Sequence, residues 1–297
     1  MIELPFCRAD LNLPPPNAQM PRRGSISGVQ SKVLLKRTRG RFEVTEHGGE
    51  YILKPVPSVP IPRFGQEVPV NEYLTMEIAK KVMGMAVAEH ELARMADGEY
   101  AYMTRRFDYR DGVKIPQEDF CQLLNRSEAT HGRNFKYDAS YEECAEVVRR
   151  FCPASKIELR KLLGRIMFNY AFANGDAHLK NFSLYASPFG DYVLTPAYDL
   201  LATSVHFPEE SALALEMFAD GHYTAEYEVR GFYTLPDFVE LGGKFGVSAG
   251  DVAQMAEELI GAEPKVAAMV EESALSAAAK AAYLYAYRDR IKALAQK

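Results

Sequence analysis

The sequence predicts an α+β protein with two lobes, a small β-rich lobe followed by a larger all-helical lobe. Short β-like runs separated by glycine turns fill the first third of the 297 residues, whereas helical spacing dominates from residue 117 onward. The length suffices for a large core divided between two lobes. We expect an extended lead-in at 1–23, the small lobe at 24–108 and the helical lobe at 109–297.

Apolar periodicity and turn residues place the individual elements. In the small lobe we expect strands at 33–36, 41–44, 51–54, 86–93 and 99–107, a proline-rich loop at 55–69 and one helix at 71–83. In the larger lobe we expect helices at 141–151, 156–173, 237–245, 249–260 and 273–295, with one short β-like run at 192–194.

The composition narrows the function classes. The chain has 35 basic and 40 acidic residues, a net charge of −5, which argues against direct nucleic-acid binding. No apolar run approaches the roughly 20 residues of a membrane span, and the first residues lack the apolar core of a signal peptide. We therefore expect a cytoplasmic protein with no membrane partner. The four cysteines form no Cys-x-x-Cys pair and are expected to be buried free thiols.

The segment 174–183, NGDAHLKNFS, contains the strongest chemical signal. Asp176 and Asn181 have the D-x-x-x-x-N spacing of a kinase catalytic loop, in which the acid orients the acceptor hydroxyl and takes its proton. Asn181 would supply a neutral oxygen ligand to Mg²⁺, and Lys180 would steady the transferring phosphoryl group. His178 is a further candidate ligand or base, with a structural role in orienting the loop as the alternative.

Charged residues outside the segment 174–183 add to the pattern of a kinase active site. Asp199 follows a β-like run and is expected to be the second Mg²⁺ ligand, although Leu200 and Leu201 stand where Phe-Gly follows the acid in ordinary kinases. Lys54 ends an apolar strand, as does the lysine that binds the α- and β-phosphates of ATP in kinases. Glu72 is its expected ion-pair partner. The ordered set predicts a phosphotransferase that uses ATP and Mg²⁺.

Two further segments are candidate nucleotide contacts. Residues 103–108 fall where the lobes should meet, so backbone groups of Arg105 and Phe107 would bond adenine and Asp108 would reach the ribose. Before the first strand, the segment 24–32, GSISGVQSK, places glycines beside small hydroxyl residues, which lets backbone N–H groups approach phosphates. We call the segment 24–32 the phosphate loop. Its candidate ATP contacts are Ser27, Gly28, Gln30 and Lys32.

Seven sequence blocks resemble those of HipA-like kinases, bacterial serine/threonine kinases of which many act as toxins. They occur in the family's order: GSISGVQSK, YILKP, VNEYLTMEIAKKVMGM, RRFDYR, IPQEDFCQLL, NGDAHLKNFS and LTPAYDL. The resemblance implies a two-lobed protein-kinase-like fold. It also implies that Lys54 binds ATP, that Asp176 is the catalytic base, and that Asn181 and Asp199 hold Mg²⁺.

The phosphate loop contains two serines, Ser25 and Ser27, and is similar to that of the short HipT-type toxins, which implies autophosphorylation of one or both. The loop begins near residue 24, so we expect the truncation of HipT-type kinases, which lack the extra N-terminal subdomain of longer HipA proteins and in which a separate small protein replaces it. A small HipS-like partner is therefore expected to dock on the small lobe. The resemblance further implies an antitoxin partner and a protein substrate from translation, such as an aminoacyl-tRNA synthetase.

Two other function classes stay open at this point. Small-molecule phosphotransferases of the aminoglycoside or choline kinase type use a similar Gly-Asp…Asn loop, and a kinase-like effector or inactive binding module is the third class. The Ser-Ile-Ser loop and the PQEDFCQLL block favour the protein kinase. Phosphate transfer to small alcohols and to no protein would favour the small-molecule phosphotransferase. Nucleotide binding without phosphate transfer would favour the inactive binding module.

Overall fold

The structure, a computed structural model, describes residues 1–13, 30–110 and 113–296. The strands are β1 (Ile2–Glu3), β2 (Val33–Thr38), β3 (Arg41–Val44), β4 (Tyr51–Pro55), β5 (His90–Arg94), β6 (Tyr100–Arg105), β7 (Tyr109–Arg110), β8 (Val113–Lys114), β9 (Gln117–Asp119), β10 (Ser183–Ala186) and β11 (Tyr192–Leu194). The helices are α1 (Val68–Lys81), α2 (Phe120–Leu123), α3 (Glu128–His131), α4 (Tyr141–Phe151), α5 (Ser155–Ala171), α6 (Ala225–Arg230), α7 (Leu235–Phe245), α8 (Ala249–Gly261), α9 (Glu263–Glu272) and α10 (Ala277–Leu294). These elements confirm the predicted α+β class.

The small lobe is built on a sheet with the strand order β1-β5-β6-β4-β2-β3. All neighbours pair antiparallel except β1 and β5, which are parallel. Leu35, Leu53 and Met103, from three adjacent strands, are buried in one cluster on this sheet. The central position of β4 matters for the site, because this strand ends with Lys54 and Pro55.

The N-terminal segment, predicted as an extended lead-in, contributes the edge strand β1 to the sheet. Ile2 and Glu3 pair with Ala93 and Arg94 of β5. Arg8 is buried and forms an ion pair with Glu99, with 2.8 Å between Nη2 and Oε1. A two-residue strand shows no alternation, and its partner is some ninety positions away in the sequence. The sequence around residues 2–3 therefore does not indicate that these residues pair with β5.

Helix α1 connects the two lobes through hydrogen bonds from its buried face. Asn71 Nδ2 donates to the backbone oxygen of Ala202 at 3.0 Å, and Asn71 Oδ1 accepts from the N–H of Ala202 at 2.9 Å. The hydroxyl groups of Thr75 and Tyr283, on α1 and α10, are 2.8 Å apart. Because these groups are buried, their pairing fixes α1 between the sheet and the larger lobe. The helix carries Glu72 toward the site.

The larger lobe packs its helices around an aromatic core. Phe172 stacks on Phe168 and on Tyr287, with ring centroids 4.3 and 4.6 Å apart. Helix α4 begins with a capping box in which Ser140 Oγ accepts from the Glu143 N–H at 3.1 Å and Glu143 accepts from the Ser140 N–H at 2.7 Å. This cap explains why the observed helix has the predicted bounds. Across the three described ranges, no helix combines the length and apolarity needed to cross a membrane.

The prediction of an all-helical larger lobe was wrong in one respect. Strands β9, β10 and β11 form a small antiparallel sheet in the order β11-β10-β9, and β7 pairs with β8. These strands have two to four residues each, too few for alternation to stand out in the sequence. The sheet positions the site, because β10 begins at Ser183, directly after the loop that holds Asp176 and Asn181.

Candidate active site

The loop between α5 and β10 presents Asp176 from a hydrogen-bonded turn. Asn174 Nδ2 donates to Asn169 Oδ1 on α5 at 2.8 Å, and Asn174 Oδ1 accepts from the N–H of Asp176 at 3.3 Å. Asp176 is 5% exposed. It lines one small cavity together with Asn181 and the other charged residues predicted for the site, Lys54, Glu72 and Asp199. The structure therefore brings together residues that are far apart in the sequence.

Gly175, directly before Asp176, lies where a side chain has no space. Its N–H donates to Thr203 Oγ1 at 2.8 Å, and a Cβ here would lie 2.7 Å from Glu210 Cγ, with the backbone oxygen of Ser211 closer still. We expect Gly175→Ala to lower the free energy of unfolding by about 1–3 kcal/mol, because the backbone of the loop must move. Urea denaturation checks this value.

Gly164→Ala is the matched control for this prediction. Gly164 lies in α5 with no heavy atom within 4 Å of its added Cβ. The higher helix propensity of alanine should stabilise that variant by up to about 1 kcal/mol. A Gly175→Ala variant that unfolds at the same urea concentration as the wild type would contradict the close packing around Gly175.

Lys54 is the cation between two carboxylates. Its Nζ lies 2.6 Å from Glu72 Oε1 on α1, so the ion pair expected from the sequence is present. The same Nζ contacts Asp199 Oδ1. Lys54 and Glu72 are almost completely buried, and the Lys54 ammonium also lies 5.3 Å from the centroid of the Tyr102 ring. One buried ammonium thus joins the sheet, α1 and the segment after β11.

The electrostatics of this cluster follow from one lysine shared by two acids. Burial opposes the charge on Lys54, but the carboxylates of Asp199 and Glu72 outweigh it and raise the pKa of Lys54. Burial likewise opposes the charge on Asp199, yet Lys54 and Lys32 lower its pKa to about 2. Burial raises the pKa of Glu72 to about 7, although Lys54 acts in the opposite direction. Asp199 is therefore the firmly ionised partner.

Asp199 and Asn181, the predicted Mg²⁺ ligands, are joined by a hydrogen bond. Asn181 Nδ2 donates to Asp199 Oδ2 at 3.3 Å, and Asn181 Oδ1 accepts from the N–H of His178 at 3.1 Å. Asp199 has φ = +54°, a left-handed conformation that is uncommon outside glycine and is frequent at functional sites. The ionised carboxylate of Asp199 fits Mg²⁺, which prefers oxygen ligands and retains several waters, whereas the amide oxygen of Asn181 is engaged by the N–H of His178.

Asp176 already accepts a hydrogen bond from a hydroxyl group. The hydroxyl of Tyr137 donates to Asp176 Oδ1. Tyr137 belongs to the 3-10 turn Phe135–Tyr137, about forty residues earlier in the chain. A carboxylate that accepts a phenol O–H in this position is placed to accept the O–H of a substrate alcohol.

His178 occupies a buried position behind the carboxylate of Asp176. Its Nε2 lies 3.9 Å from Asp176 Oδ1, beyond hydrogen-bonding distance, and neither ring nitrogen has a hydrogen-bond partner among the described residues. Burial lowers the pKa of His178 to about 3, with Lys136 adding to the effect. The ring packs edge-on against Tyr137 with centroids 5.2 Å apart. The neutral, packed imidazole lacks the hydrogen bond by which the structural alternative would orient the loop, so His178 contributes by packing among the described residues.

Lys180 lies at the entrance of the site and has a partner. Its Nζ is 2.5 Å from Asp119 Oδ2, and about half of the side chain is exposed. The lysine lines a larger cavity that also contains Lys54, Asp199 and His178. It is thus close to the predicted phosphate position, and Asp119 holds it there.

This larger cavity, which we call the nucleotide cavity because it contains residues predicted to contact ATP, has a volume of about 550 Å³. Its lining carries seven cationic side chains against three carboxylates, which suits a polyanion. The cationic residues are Lys32, Lys54, Arg105, Arg106, Arg133, Lys136 and Lys180. Phe107 supplies an aromatic wall, with its ring centroid 5.5 Å from that of Tyr198.

The remaining predicted nucleotide contacts divide into three groups. Arg105, Phe107 and Asp108 line the cavity, but the backbone N–H of Arg105, a predicted adenine contact, donates to the backbone oxygen of Glu89 at 2.8 Å. The carboxylate of Asp108 is bound by Arg106, with 2.6 Å between Nη2 and Oδ2. Lys32 lines the nucleotide cavity, and it and Gln30 line the small cavity at Asp176. The predicted contacts Ser27 and Gly28 and the predicted phosphorylation sites Ser25 and Ser27 lie outside the described residues.

Comparison with known proteins agrees with this geometry. The chain is 30% identical over 315 residues to a Haemophilus influenzae protein named "Putative kinase", covering 98% of this chain and 87% of that protein. It is 30% identical over 229 residues to the serine/threonine-protein kinase toxin HipA of Shewanella oneidensis, covering 70% of this chain and 50% of that toxin. The chain thus spans about half the length of this HipA.

Solved structures show the same fold. The Shewanella oneidensis HipA, in a complex with HipB and operator DNA, superposes with a TM-score of 0.67 at 21% identity, covering 92% of this chain and 65% of that chain. The Helicobacter pylori proinflammatory kinase CtkA superposes with a TM-score of 0.63 at 13% identity, covering 99% of this chain and 94% of that chain. Fold and site together define a protein of the kinase-like class. Residues 24–275 match the model of the HipA-like C-terminal domain, and the chain belongs to that family.

Proposed function

We propose that the chain is an ATP-dependent serine/threonine protein kinase of the HipA type. The observation that carries this proposal is the convergence of Lys54, Asp199 and Asp176 beside a cationic cavity of about 550 Å³. Phosphoryl transfer needs a cation for the phosphates, a metal-binding acid and an acid facing the acceptor, and each is present. Family membership supports the same conclusion and favours a protein kinase over a small-molecule phosphotransferase.

ATP binds in the nucleotide cavity in this proposal. The adenine ring lies near Phe107 and the segment that joins the lobes, and the triphosphate lies along the cationic wall. Lys54 contacts the phosphates while Glu72 fixes the position of its ammonium. Asn181 and Asp199 would hold Mg²⁺, which when bound neutralises the charge that develops on the phosphate oxygens.

Asp176 acts on the acceptor. Its carboxylate accepts the hydrogen of the serine or threonine hydroxyl and takes up that proton as the hydroxyl oxygen forms its bond to the γ-phosphorus. The bond between the γ-phosphorus and the bridging oxygen breaks, and ADP leaves with that oxygen. In this scheme Lys180 stabilises the transferring phosphoryl group after releasing Asp119.

The protein partners are proposed from the family. A translation component such as an aminoacyl-tRNA synthetase is the proposed substrate, and its phosphorylation would arrest growth, as expected of a toxin in a toxin–antitoxin module. The structural relative from Shewanella oneidensis is described in a complex with HipB and operator DNA. This supports an antitoxin partner for the present chain. A small HipS-like protein on the small lobe stays a prediction.

Autophosphorylation of Ser25 or Ser27 is expected to reduce activity. A phosphoserine adds about −1.5 to −2 charges, and in the phosphate loop it would compete with the phosphates of ATP for the same cations. Mass spectrometry after incubation with ATP and Mg²⁺ should find phosphate on one or both serines and none on an Asp176→Asn chain. The phosphorylated chain should bind a fluorescent ATP analogue more weakly. An unmodified loop in active wild-type protein would contradict this prediction.

The proposed function is tested by following the labelled γ-phosphate of ATP. Bacterial lysate proteins and a panel of small alcohols, including aminoglycosides and choline, serve as parallel acceptors. We expect label on protein serine or threonine that requires Mg²⁺ and does not form when EDTA is present during the reaction. Label on a small alcohol alone would overturn the proposal in favour of a small-molecule phosphotransferase.

A further inference from the structure

A second cavity lies beside Asp176 and shares no lining residue with the nucleotide cavity. It has a volume of about 750 Å³ and is open to solvent. Gly175 lines it directly before Asp176, and Tyr137 lines it while donating its hydroxyl to Asp176 Oδ1. Phe207 and Pro208 form part of an apolar wall. A second molecule can therefore occupy this cavity while ATP occupies the other.

The two cavities differ in charge. The second cavity contains the carboxylates of Glu209 and Glu210, and no lysine or arginine is among its described lining residues. The nucleotide cavity instead carries a strong excess of cationic side chains. Asp176 thus lies between the nucleotide cavity, which favours anionic phosphate, and the second cavity, which favours cations.

Glu210 lines this cavity and is partly buried. Burial raises the pKa of its carboxyl group to about 7, although hydrogen bonds with Thr203 and Gly175 act in the opposite direction. Its carboxyl group lies against Gly175, since a Cβ on that glycine would be 2.9 Å from Glu210 Cδ. An arginine or lysine side chain in the cavity would favour the ionised form of this carboxyl group and supply the opposite charge. Glu209 is exposed at the same place and extends the negative surface.

The hydroxyl of Tyr137 occupies the position beside Asp176 that we expect for the hydroxyl of an acceptor serine. It reaches Asp176 from a residue of the second cavity and makes the contact that a serine hydroxyl must make before transfer. An acceptor segment in this cavity could present its serine to Asp176 Oδ1 by displacing the Tyr137 hydroxyl. The basic residues of such a segment would then lie near Glu209 and Glu210.

We propose that this second cavity is the acceptor site, and that Glu209 and Glu210 select a peptide segment with arginine or lysine close to its serine. The inference rests on the proposed kinase function and adds the class of acceptor. The chain's own sequence contains such a segment, because Arg22 and Arg23 precede Ser25. That sequence supplies a probe of the required chemistry.

Two synthetic peptides test the inference with the full chain as enzyme. One has the sequence of residues 21–30, PRRGSISGVQ, and the other carries Arg22→Glu and Arg23→Glu. We expect the wild type to phosphorylate the basic peptide with a kcat/KM at least about 10-fold higher, the effect of one charge-assisted hydrogen bond. Glu210→Gln and Glu209→Gln should each reduce this preference and leave the KM for ATP unchanged.

Matched variants separate the possible results. Glu228→Gln removes the same charge from the exposed helix α6 and should leave the preference intact. If Glu210→Gln does not fold, the exposed Glu209→Gln still tests the site, and Glu209→Lys should shift the preference toward the acidic peptide. An unchanged preference in the Glu209 and Glu210 variants, or equal loss with both peptides, would overturn the acceptor assignment.

The failure of this inference is distinguishable from failure of the proposed function. If neither peptide accepts phosphate but the intact chain or a lysate protein does so with wild type and not with Asp176→Asn, the acceptor site is wrong and the kinase stands. If no acceptor receives phosphate in a manner that depends on Asp176, the proposed function itself is wrong.

Discussion

Asp176→Asn is expected to lower the rate of phosphoryl transfer by about 10²–10⁴-fold, the usual contribution of a positioned general base. The carboxylate is buried and already accepts a hydroxyl hydrogen bond from Tyr137. Asparagine keeps the shape and one acceptor oxygen, but it cannot take up the proton of the substrate hydroxyl. ATP binding should change little, because Lys54, Asn181 and Asp199 remain in place. Initial rates with labelled ATP and titration of a fluorescent ATP analogue measure the two quantities separately.

The control for this variant removes an acid elsewhere. Asp289 is exposed on α10, so Asp289→Asn should leave both the rate and the affinity for ATP unchanged. Equal activity of Asp176→Asn and wild type would remove Asp176 from its proposed role. A parallel loss of ATP binding would instead show that Asp176 acts by holding the nucleotide.

Lys54→Met is expected to abolish productive ATP binding and to lower the free energy of unfolding by about 3–5 kcal/mol at neutral pH, the usual cost of breaking a buried pair. Lys54 is 5% exposed and contacts both Glu72 and Asp199. Methionine fills a similar volume but leaves two buried carboxyl groups without their ammonium partner. Urea denaturation and the fluorescent ATP analogue measure the two effects.

The stability loss of Lys54→Met should depend on pH in a defined direction. In the wild type the pKa of Asp199 is depressed to about 2, so its stabilising contribution is full above about pH 4 and is lost only as the pH falls toward 2. Without Lys54, burial and mutual repulsion raise the pKa of both carboxyl groups above their unfolded values. In their ionised form these groups destabilise the fold at high pH, and the destabilisation decreases as the pH falls and they take up protons. The deficit should therefore be smaller at pH 5 than at pH 7.

Lys36→Met is the matched control in the same sheet. Lys36 is half exposed on β2, and its Nζ lies 3.8 Å from Glu43 Oε2. Loss of such a surface pair should change the free energy of unfolding by less than about 1 kcal/mol. A Lys54→Met variant as stable as Lys36→Met, with unchanged ATP binding, would contradict the buried cluster.

The sequence was sufficient to select candidate residues that occur at a recognisable spacing or at the end of a recognisable strand. Asp176 and Asn181 lie five positions apart in one loop, and Lys54 ends a strand whose apolar run is visible. The structure brings Lys54 into contact with Asp199, which is 145 positions away. Glu72, and not Asp199, was the predicted partner of Lys54, because nothing in the sequence gives the distance between two residues so far apart.

The residues that the sequence did not reveal act through tertiary contacts alone. Tyr137 reaches Asp176 from a short 3-10 turn, and Glu210 reaches Gly175 from a loop after Asp199. Neither occurs at a spacing that indicates chemistry. Arg133 and Lys136 line the nucleotide cavity but look like surface charges in the sequence. The two-residue strand β1 was missed for the same reason, since its partner is distant.

The most direct test of the central claim is a quantitative phosphoproteome of bacteria that express either the wild-type chain or Asp176→Asn. The account predicts phosphoserine or phosphothreonine on the chain or on at least one other protein in wild-type cells, and none of these sites in Asp176→Asn cells. Identical phosphoproteomes from well-expressed, folded proteins would contradict the claim that Lys54, Asp176, Asn181 and Asp199 form the active site of a protein kinase.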